Sequence, residues 1–367
     1  MIHRPNGRDN KRAADATLSS PSEPLRLDSG QSRVDETLNY IVHPLVMATI
    51  WANPFLTPPA REYLIDAIGS HRLVLGGETE HVLDPGAPDR NAQEAEVVFG
   101  QPDPATVLQS KKLRWIHLSS AGYAPYDTPA FRNGLKILPA ILTNSSGVFA
   151  EPCAQHIMAW LLADARQLYP CYNNQKGSRT WPQNELREKT RLLAGQTILI
   201  AGYGAIGRRL TELLAPYSVQ LIGYRRSPQP DSSIRIVGPE KLSTALGEAD
   251  HVINILPQSV ETQLFFSSER LDSIKPGARY YSIGRGATTD QEALLGCLRS
   301  GHLSAAYLDV TTPEPLPADH PLWSTPNCFI TPHIGGGHAD EALRIVKNFI
   351  CNLRRFERDE ALIDKVF

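Results

Sequence analysis

Three polar residues in the second half of the chain carry the side chains that reduction of a carbonyl group requires. Arg285 stands between two glycines, Glu314 between two prolines, and His333 in the sequence Thr-Pro-His-Ile-Gly-Gly. A guanidinium can form a bidentate pair with the carboxylate of a 2-oxo acid, and an imidazole exchanges a proton near neutral pH. A carboxylate beside that imidazole favours its protonated form, so an acid is available when a hydride converts the carbonyl into an alkoxide. In the reverse direction a neutral His333 would take the proton of the hydroxyl group.

Each of these residues also has an ordinary structural explanation. Arg285 could be a surface arginine that caps the next helix, Glu314 could be an exposed loop glutamate, and most of the 11 histidines are expected to be structural or solvated. His333 differs from the others because the glycines and the proline of its loop allow a ligand to approach closely. All three residues follow segments that predict strands, and ligands of doubly wound sheets bind at the carboxyl ends of strands. We therefore interpret them together, as one candidate catalytic site.

A glycine-rich turn ahead of these residues predicts a source of hydride. The sequence Gly-Tyr-Gly-Ala-Ile-Gly, residues 202–207, lies between an apolar run at 197–201 and a segment of helical spacing at 208–214. In such a strand–turn–helix the first glycine makes the tight turn, the second lets the backbone approach a pyrophosphate, and the third lets the helix pack closely on the strand. The N–H groups and the dipole at the helix start then face the phosphates. The residues predicted to bind a dinucleotide here are Gly202, Gly204, Ala205, Ile206 and Gly207.

The end of the next predicted strand favours one nicotinamide cofactor over the other. An apolar run at 219–223 is followed by Tyr224 and then by Arg225, Arg226 and Ser227. An acid at this position would hydrogen-bond the ribose 2′-hydroxyl of NAD, whereas arginines suit the 2′-phosphate of NADP. The pattern predicts NADP as the cofactor, with NAD still possible.

Apolar runs alternate with helical patterns along the chain, which predicts parallel α/β sheets. We predict strands at residues 40–46, 72–75, 95–100, 113–118, 135–138, 197–201, 219–223, 251–256, 279–283, 305–310 and 328–331. We predict helices at residues 59–68, 151–168, 208–214, 267–274, 290–299 and 340–356, and a crossover loop at residues 173–191. Because the glycine-rich turn begins only at residue 202, a whole domain must precede it, and 367 residues suffice for two domains.

The composition disfavours several classes of function. Hydrophobic residues make up 41% of the chain and charged residues 21%, as in a soluble globular protein. The net charge of −2 arises from 37 basic and 39 acidic residues, so no broad nucleic-acid surface is indicated. The five cysteines are scattered without a CxxC pair, which predicts free thiols in a reducing compartment and no metal site or disulfide. Prolines interrupt the uncharged stretch at 39–60, so this stretch is not a membrane helix.

The first 35 residues are rich in Ser, Pro, Asp and Arg, and we predict that residues 1–35 form a disordered extension. This segment lacks the apolar centre of a secretory signal, and its acidic residues argue against a transit peptide. We therefore expect a cytoplasmic location.

Taken in order, these motifs resemble those of the D-isomer-specific 2-hydroxyacid dehydrogenase family over roughly residues 95–357. Arg285 followed by Asp290, Glu314 before a proline, and His333 after Thr-Pro resemble the catalytic arginine, glutamate and histidine of the family. The sequence Ser-Ser-Ala-Gly at 119–122 resembles the loop whose backbone N–H groups hold the substrate carboxylate. The resemblance therefore implies substrate contacts from Ala121, Gly122 and Arg285.

Further segments are similar to the family at 143–147 and 254–257. Asp309, in Leu-Asp-Val, matches the acidic residue near the nicotinamide. Beyond the glycine-rich turn, the resemblance implies cofactor contacts from Pro257, Thr262, Ile283, Gly284, Arg285, Asp309 and His333.

The resemblance also implies an architecture, an α/β fold in which a Rossmann cofactor domain is inserted into a flavodoxin-like substrate domain. The substrate domain would comprise residues 36–148 and 337–367, and the cofactor domain residues 149–336, with the active site in the cleft between them. Enzymes of this kind close on their substrate, and the family implies a homodimer.

The chain departs from the family pattern in a few places. Gln155 stands where the family usually has a glutamate, and we expect it to remove a helix-start charge that concerns packing more than chemistry. Residues 36–95 match weakly, and Trp51 in that region belongs either to the core or to the substrate pocket. The missing acid after the second strand of the cofactor domain resembles the NADP-preferring glyoxylate and hydroxypyruvate reductases. The expected function is therefore the reduction of a small 2-oxo acid.

Two other functions remain as alternatives. A dinucleotide-sensing module without turnover, like the corepressor relatives of this family, need not retain all three catalytic residues, and the intact set argues against it. Formate oxidation is disfavoured by Glu314, because the resembling enzymes pair their histidine with an amide at that position. The carboxylate contacts are common to all 2-oxo acids, so the sequence does not choose among them. We predict no metal, no nucleic acid and no membrane as partners.

Overall fold

The computed structural model describes residues 47–77, 85–228, 231 and 233–367. The extension predicted at residues 1–35 and the strand predicted at residues 40–46 lie outside the described residues. None of the helices in the described ranges combines the length and the apolar character needed to cross a lipid bilayer. The cytoplasmic location and the domain boundaries stay predictions.

The described strands form two parallel sheets. The first sheet contains β1 (Thr49–Ala52), β2 (Arg72–Leu75), β3 (Val97–Gly100), β4 (Trp115–Leu118) and β5 (Ile141–Thr143). The second contains β6 (Thr197–Ala201), β7 (Gln220–Tyr224), β8 (Arg235–Val237), β9 (His251–Asn254), β10 (Arg279–Ser282), β11 (Ala305–Leu308) and β12 (Cys328–Ile330).

The order of the strands in each sheet is that of a doubly wound fold. The first sheet runs β2-β1-β3-β4-β5, which is the flavodoxin order, and the second runs β12-β11-β10-β9-β6-β7-β8. Counted from its own first strand, the second sheet has the Rossmann order 3-2-1-4-5-6 with one more strand at the edge. Strands β3, β4, β9 and β11 are buried at every residue, as expected where helices cover both faces of a parallel sheet. The predicted α/β fold class is confirmed.

Helices connect the strands in both parts of the chain. They are α1 (Pro58–Ala67), α2 (Arg90–Gln93), α3 (Pro104–Val107), α4 (Pro129–Ile137), α5 (Ser146–Ala165), α6 (Leu168–Lys176), α7 (Gln183–Lys189), α8 (Ala205–Leu214), α9 (Leu242–Glu248), α10 (Ser268–Asp272), α11 (Gln291–Ser300) and α12 (Glu341–Glu357).

Two predicted elements are wrong. Residues 135–138, predicted as a strand, are the last turn and the C-cap of α4, which begins at Pro129 directly after the Thr128 cap. In that short run Leu135 is buried and Ile137 is 81% exposed, which is the helical alternation of faces that four residues are too few to reveal. Residues 173–191, predicted as a loop, contain the end of α6 and the whole of α7. Neither helix has a buried residue, so no apolar face marks them in the sequence.

The C-terminal part of the chain returns to the first sheet. In α12, the ring of Phe349 stacks on Phe99 of β3 with centroids 4.2 Å apart, and lies 5.2 Å from the ring of Trp115 in β4. The last residues then run beside β5, where the Val366 N–H donates to the Leu142 carbonyl. These contacts agree with an inserted cofactor domain, whose boundaries stay as proposed.

Candidate active site

The predicted catalytic residues lie together in a cleft of about 370 Å³ at the carboxyl ends of strands from both sheets. Gly122, in the loop after β4, comes from the first sheet. Arg285 after β10, Glu314 after β11 and His333 after β12 come from the second. Because the strands within each sheet are parallel, loops that are far apart in the sequence leave the same edge of the sheet and meet there.

His333 and Glu314 form a hydrogen-bonded pair. The imidazole Nδ1 lies 2.8 Å from Oε2 of Glu314, and the other carboxylate oxygen accepts the Thr311 N–H at 3.0 Å. Burial raises the pKa of Glu314, but the hydrogen bonds from His333 and Thr311 outweigh it, so the net pKa lies below the ordinary value of a glutamate. Since a carboxylate only accepts hydrogen bonds, Nδ1 carries a hydrogen and Nε2 is left to exchange a proton with a ligand.

Arg285 is held partly buried against residues 119–122, the candidate substrate loop. Its Nη1 donates to the Gly284 carbonyl at 2.7 Å, and a Cβ at Gly122 would collide with its guanidinium. A Cβ at Gly286 would collide with the Thr311 backbone, so the chain on either side of Arg285 tolerates little displacement. Burial lowers the pKa of Arg285 and Glu314 opposes that shift, but a guanidinium stays protonated in proteins. The cleft therefore has a fixed cation beside the histidine–glutamate pair.

The loop that carries His333 is held by Asp309. His333 adopts a left-handed backbone conformation with φ of +54°, which a non-glycine residue adopts only when its surroundings impose it. The Asp309 carboxylate accepts the N–H groups of Ile334 at 2.9 Å and Gly335 at 2.8 Å, and the Thr331 hydroxyl at 2.6 Å. The role of Asp309 near a nicotinamide stays a prediction, and the sequence did not reveal this positioning role. Its only signal was an acid at the end of a buried strand.

The glycine-rich turn has the geometry that the sequence predicts. Gly202 has φ of +92°, and a Cβ on it would lie 2.9 Å from the Ile255 backbone. A Cβ on Gly207 would lie 2.9 Å from the Tyr203 ring, so this glycine allows α8 to pack closely on β6.

The start of α8 can accept a phosphate group. Helix α8 begins at Ala205, and its first hydrogen bond runs from the Arg208 N–H to the Gly204 carbonyl. The N–H groups of Ala205, Ile206 and Gly207 therefore lack intrahelical partners. Among the described residues, a Cβ at Gly204 would meet only the Gly202 carbonyl oxygen, at 3.9 Å, so the backbone there is open to a pyrophosphate.

The two arginines after β7 differ in their surroundings. Arg225 donates from Nε to the Tyr203 carbonyl at 2.8 Å, and its guanidinium lies 5.4 Å from the centre of the Tyr203 ring. Arg226 is 74% exposed and lies 3.5 Å from the Glu261 carboxylate. Ser227 is exposed beside it, so Arg226 and Ser227 are free to meet a ligand at the surface.

The other predicted cofactor residues lie at the same edge of the second sheet. Thr262 and Pro257 close the loop after β9, where the Thr262 hydroxyl donates to the Pro257 carbonyl at 2.6 Å. Ile283 and Gly284 directly follow β10, and a Cβ at Gly284 would collide with the Leu256 carbonyl. The structure thus groups these residues at the edge of the sheet where α8 begins, and their contacts with a cofactor stay predictions.

Two residues outside the cleft have structural roles. Trp51 is 1% exposed within β1, and its indole N–H donates to the Asp89 carboxylate at 2.8 Å, so of its two expected positions the core is the one observed. Gln155 lies in the middle of α5, not at a helix start as we expected, because the helix begins at Ser146. Its amide faces outward and donates to Glu151 at 2.5 Å, one helical turn earlier.

The described residues contain no cluster of three or more His, Cys, Asp or Glu side chains that could hold a metal ion.

Comparison with known proteins identifies the family. Residues 158–335 match the model of the D-isomer specific 2-hydroxyacid dehydrogenase NAD binding domain. The chain is 32% identical to glyoxylate/hydroxypyruvate reductase B of Escherichia fergusonii over 242 residues, covering 64% of this chain and 71% of the relative. It is 31% identical to the enzyme of the same name from Citrobacter koseri over 268 residues, covering 69% of this chain and 79% of that enzyme.

A solved structure agrees with the sequence relatives. A D-isomer specific 2-hydroxyacid dehydrogenase family protein from Aeromonas salmonicida superposes with a TM-score of 0.68 at 28% identity, covering 87% of this chain and 98% of the other. The match spans both sheets of the fold and therefore extends beyond the cofactor-binding part. The chain belongs to the D-isomer specific 2-hydroxyacid dehydrogenase family, oxidoreductases that use a nicotinamide cofactor and act on small 2-hydroxy and 2-oxo acids.

Proposed function

We propose that this chain uses NADPH to reduce a small 2-oxo acid, of the kind of glyoxylate or hydroxypyruvate, to the 2-hydroxy acid. The observation that carries this proposal is the hydrogen-bonded His333–Glu314 pair in one cleft with Arg285, because a proton donor and a carboxylate-binding cation then face the same ligand. A dinucleotide-sensing module without turnover would need neither the His333–Glu314 hydrogen bond nor its position beside Arg285. The family match also favours an enzyme.

Each residue of the candidate site has one role in the proposed reaction. Arg285 and the backbone N–H groups of Ala121 and Gly122 hold the substrate carboxylate. The glycine-rich turn and the start of α8 would hold a reduced nicotinamide cofactor, whose chemistry would be the supply of a hydride to the carbonyl carbon. His333 donates the proton of Nε2 to the carbonyl oxygen as that atom becomes negative, and the Glu314 carboxylate stabilises the imidazolium before the transfer. The product carries the transferred proton on its hydroxyl group, and His333 is left neutral until it takes a proton from solvent.

The walls of the cleft support a small substrate. Beyond the carboxylate contacts the lining consists largely of short or compact side chains, among them Ala124, Pro125 and Ala287. Gln258 and Thr312 add hydrogen-bonding groups that suit the hydroxyl of hydroxypyruvate. The two relatives described above carry the name of glyoxylate/hydroxypyruvate reductase, which is consistent with this choice.

Arg226 and Ser227 support NADP over NAD. Both are exposed at the end of β7, where an NAD-binding Rossmann domain places an acid. Arg225 contributes charge nearby, although its Nε is already bonded to the Tyr203 carbonyl.

A substrate panel tests the proposal. Glyoxylate, hydroxypyruvate, pyruvate and phenylpyruvate are each added with NADPH or NADH, and oxidation of the cofactor is followed by its absorbance, with His333→Ala as control. We expect glyoxylate or hydroxypyruvate with NADPH to give the highest kcat/KM, and the control to lose about 100-fold or more of it. If no 2-oxo acid oxidises either cofactor above the control, the proposal is wrong, and tight cofactor binding without turnover would then support the sensing alternative.

We also propose the homodimer that the resemblance implies. Exposed apolar side chains occur between residues 168 and 192, with Leu168 and Tyr172 each 55% exposed, Trp181 89% and Leu192 70%. We infer that this segment, with its four exposed apolar side chains, contributes to the subunit interface. Sedimentation velocity at micromolar concentration should give the mass of two chains, and a single-chain mass at all concentrations would overturn the dimer.

A further inference from the structure

Asn144 is a buried polar residue that holds the backbone of the substrate loop. It follows β5 directly and is 4% exposed. Its side-chain amide donates to the Ala121 carbonyl at 2.8 Å. The next residue, Ser145, donates its backbone N–H to the Ser120 carbonyl at 3.0 Å and its hydroxyl to the Leu118 carbonyl at 2.8 Å. The segment after β5 therefore fixes three carbonyl groups in and before the substrate loop.

Fixing a carbonyl also fixes the N–H group of the following residue. The peptide bond is planar and trans, so the two groups of one peptide point in opposite directions. Because the Ser120 and Ala121 carbonyls both point towards residues 144–145, the N–H groups of Ala121 and Gly122 point away from them. Within the described part of the chain, neither N–H donates to another protein atom. Two unused donors therefore lie side by side.

One of these two residues, Gly122, lies beside the cation of the site. A Cβ at Gly122 would collide with the Arg285 guanidinium, and both residues line the cleft. A carboxylate accepts several hydrogen bonds at once, so Arg285 and the loop can bind one ligand group together. The direction of the Gly122 N–H then depends on the single hydrogen bond from Asn144.

Asn144 also bonds to the start of the helix that leads into the second sheet. Its Oδ1 accepts the Ser146 N–H at 3.1 Å and the Ser146 hydroxyl at 2.8 Å, in the first turn of α5. We propose that Asn144 is a positioning residue for substrate binding, which orients the Ala121–Gly122 peptide towards the substrate carboxylate and ties that peptide to α5. This inference rests on the proposed function, because it takes the ligand to be a carboxylate.

Two substitutions separate the two roles of the Asn144 side chain. Asn144→Asp keeps an acceptor for Ser146 but places an oxygen against the Ala121 carbonyl, so the peptide should turn. Asn144→Ala removes the donor without adding a charge, which separates loss of positioning from repulsion of the ligand. The probe is oxamate, a carboxylate without a reducible carbonyl, titrated by calorimetry into the enzyme saturated with reduced cofactor.

Both variants should bind oxamate about tenfold or more weakly, the loss expected when one charge-assisted hydrogen bond is misdirected. Their affinity for the cofactor alone should change less than twofold, because the hydrogen bonds of Asn144 go to the loop after β4, to the start of α5 and to the Asp364 carbonyl, away from the glycine-rich turn. In kinetic assays the KM for the 2-oxo acid should rise by a similar factor, with a smaller change in kcat.

A matched control is available in Asn352 of α12. It is fully buried, donates to the Ile363 carbonyl at 2.9 Å and accepts the Ile363 N–H at 2.8 Å, so it bridges two backbone groups as Asn144 does. Asn352→Asp and Asn352→Ala should lower the thermal stability comparably and leave oxamate binding unchanged. Unchanged oxamate binding in both Asn144 variants, or an equal loss in the Asn352 variants, would overturn the inference.

The design distinguishes this inference from the proposed function. If the wild type binds oxamate but reduces no 2-oxo acid, the proposed function fails while the comparison of variants still decides the role of Asn144. If the wild type does not bind oxamate at all, the cleft has no carboxylate site and the inference fails.

Discussion

Replacing Arg226 with alanine should weaken the binding of NADPH and leave the binding of NADH unchanged. The guanidinium is 74% exposed at the end of β7, where the 2′-phosphate of NADP is expected, and Glu261 is its partner at 3.5 Å. Two unit charges about 4 Å apart attract each other by about 1 kcal/mol in water and about 4 kcal/mol near a protein surface. Because Arg226 is so exposed and Glu261 competes for it, we expect about 2 kcal/mol, or about a 30-fold weaker affinity for NADPH.

Arg225→Ala should behave differently, although it removes the same charge from the same strand end. Its Nε holds the Tyr203 carbonyl inside the glycine-rich turn, so its loss should disturb the turn and weaken both cofactors. The assay is a fluorescence titration of each variant with NADPH and with NADH, at low salt and again at high salt. The effect of Arg226→Ala should shrink at high salt, because exposed charges are screened.

Arg235→Ala is the matched control for these variants. Arg235 is also an exposed arginine of the second sheet, in β8, and pairs with Glu248. It should leave both affinities unchanged. If Arg226→Ala weakens NADPH and NADH by the same factor, or weakens neither, Arg226 does not bind the 2′-phosphate.

Further predictions follow from the hydrogen bonds of the site and of the first sheet. Glu314→Gln removes the charge that stabilises protonated His333, so kcat for 2-oxo acid reduction should fall about 100-fold, and a loss below threefold would exclude this role. Asp309→Asn leaves too few acceptors for the His333 loop, so the unfolding free energy should fall by about 1–3 kcal/mol and kcat should fall with it. Urea unfolding measures the stability, and a folded variant with unchanged kcat would contradict the positioning role. Glu357 lies 2.7 Å from His71; burial raises the pKa of Glu357, but the hydrogen bonds to the carboxylate lower it overall. A carboxylate whose pKa is lower in the folded than in the unfolded state stabilises the fold at pH values above its unfolded pKa, and this stabilisation is lost as the pH falls through the folded pKa. Glu357→Gln should therefore lower the unfolding free energy by about 1 kcal/mol at pH 7, and should not change it once the pH is below the folded pKa of Glu357. Urea unfolding at both pH values measures this, and an equal difference at both would be inconsistent with it.

Most strands of the second sheet could be predicted from the sequence because each is a short, continuous apolar run. The run at 197–201 coincides with β6, and the run at 279–283 ends one residue after β10. A parallel strand buried on both faces needs such a run, so the pattern is strong. The prediction failed where burial leaves no pattern, as in α6 and α7, whose residues are all at least partly exposed.

The candidate catalytic residues could be predicted for a different reason. Arg285, Glu314 and His333 have side chains of distinctive chemistry, and each follows a predicted strand. The positioning roles of Asn144 and Asp309 were harder to predict, because both side chains form hydrogen bonds to backbone groups of other segments. A side chain that bonds to a backbone carbonyl leaves no residue type at the other end to be recognised.

By itself, the sequence predicted the fold class, the glycine-rich turn and the candidate residues for proton transfer and carboxylate binding. These follow from local properties, namely apolar runs, glycines at required positions and the acid–base character of side chains. Only the tertiary structure decided which groups meet: that Nδ1 of His333 lies 2.8 Å from Glu314, that Arg285 lies against Gly122, and that Asn144 holds the Ala121 carbonyl. Those contacts join loops at the ends of strands in two sheets, and their distances depend on how strands pair and helices pack across the whole chain.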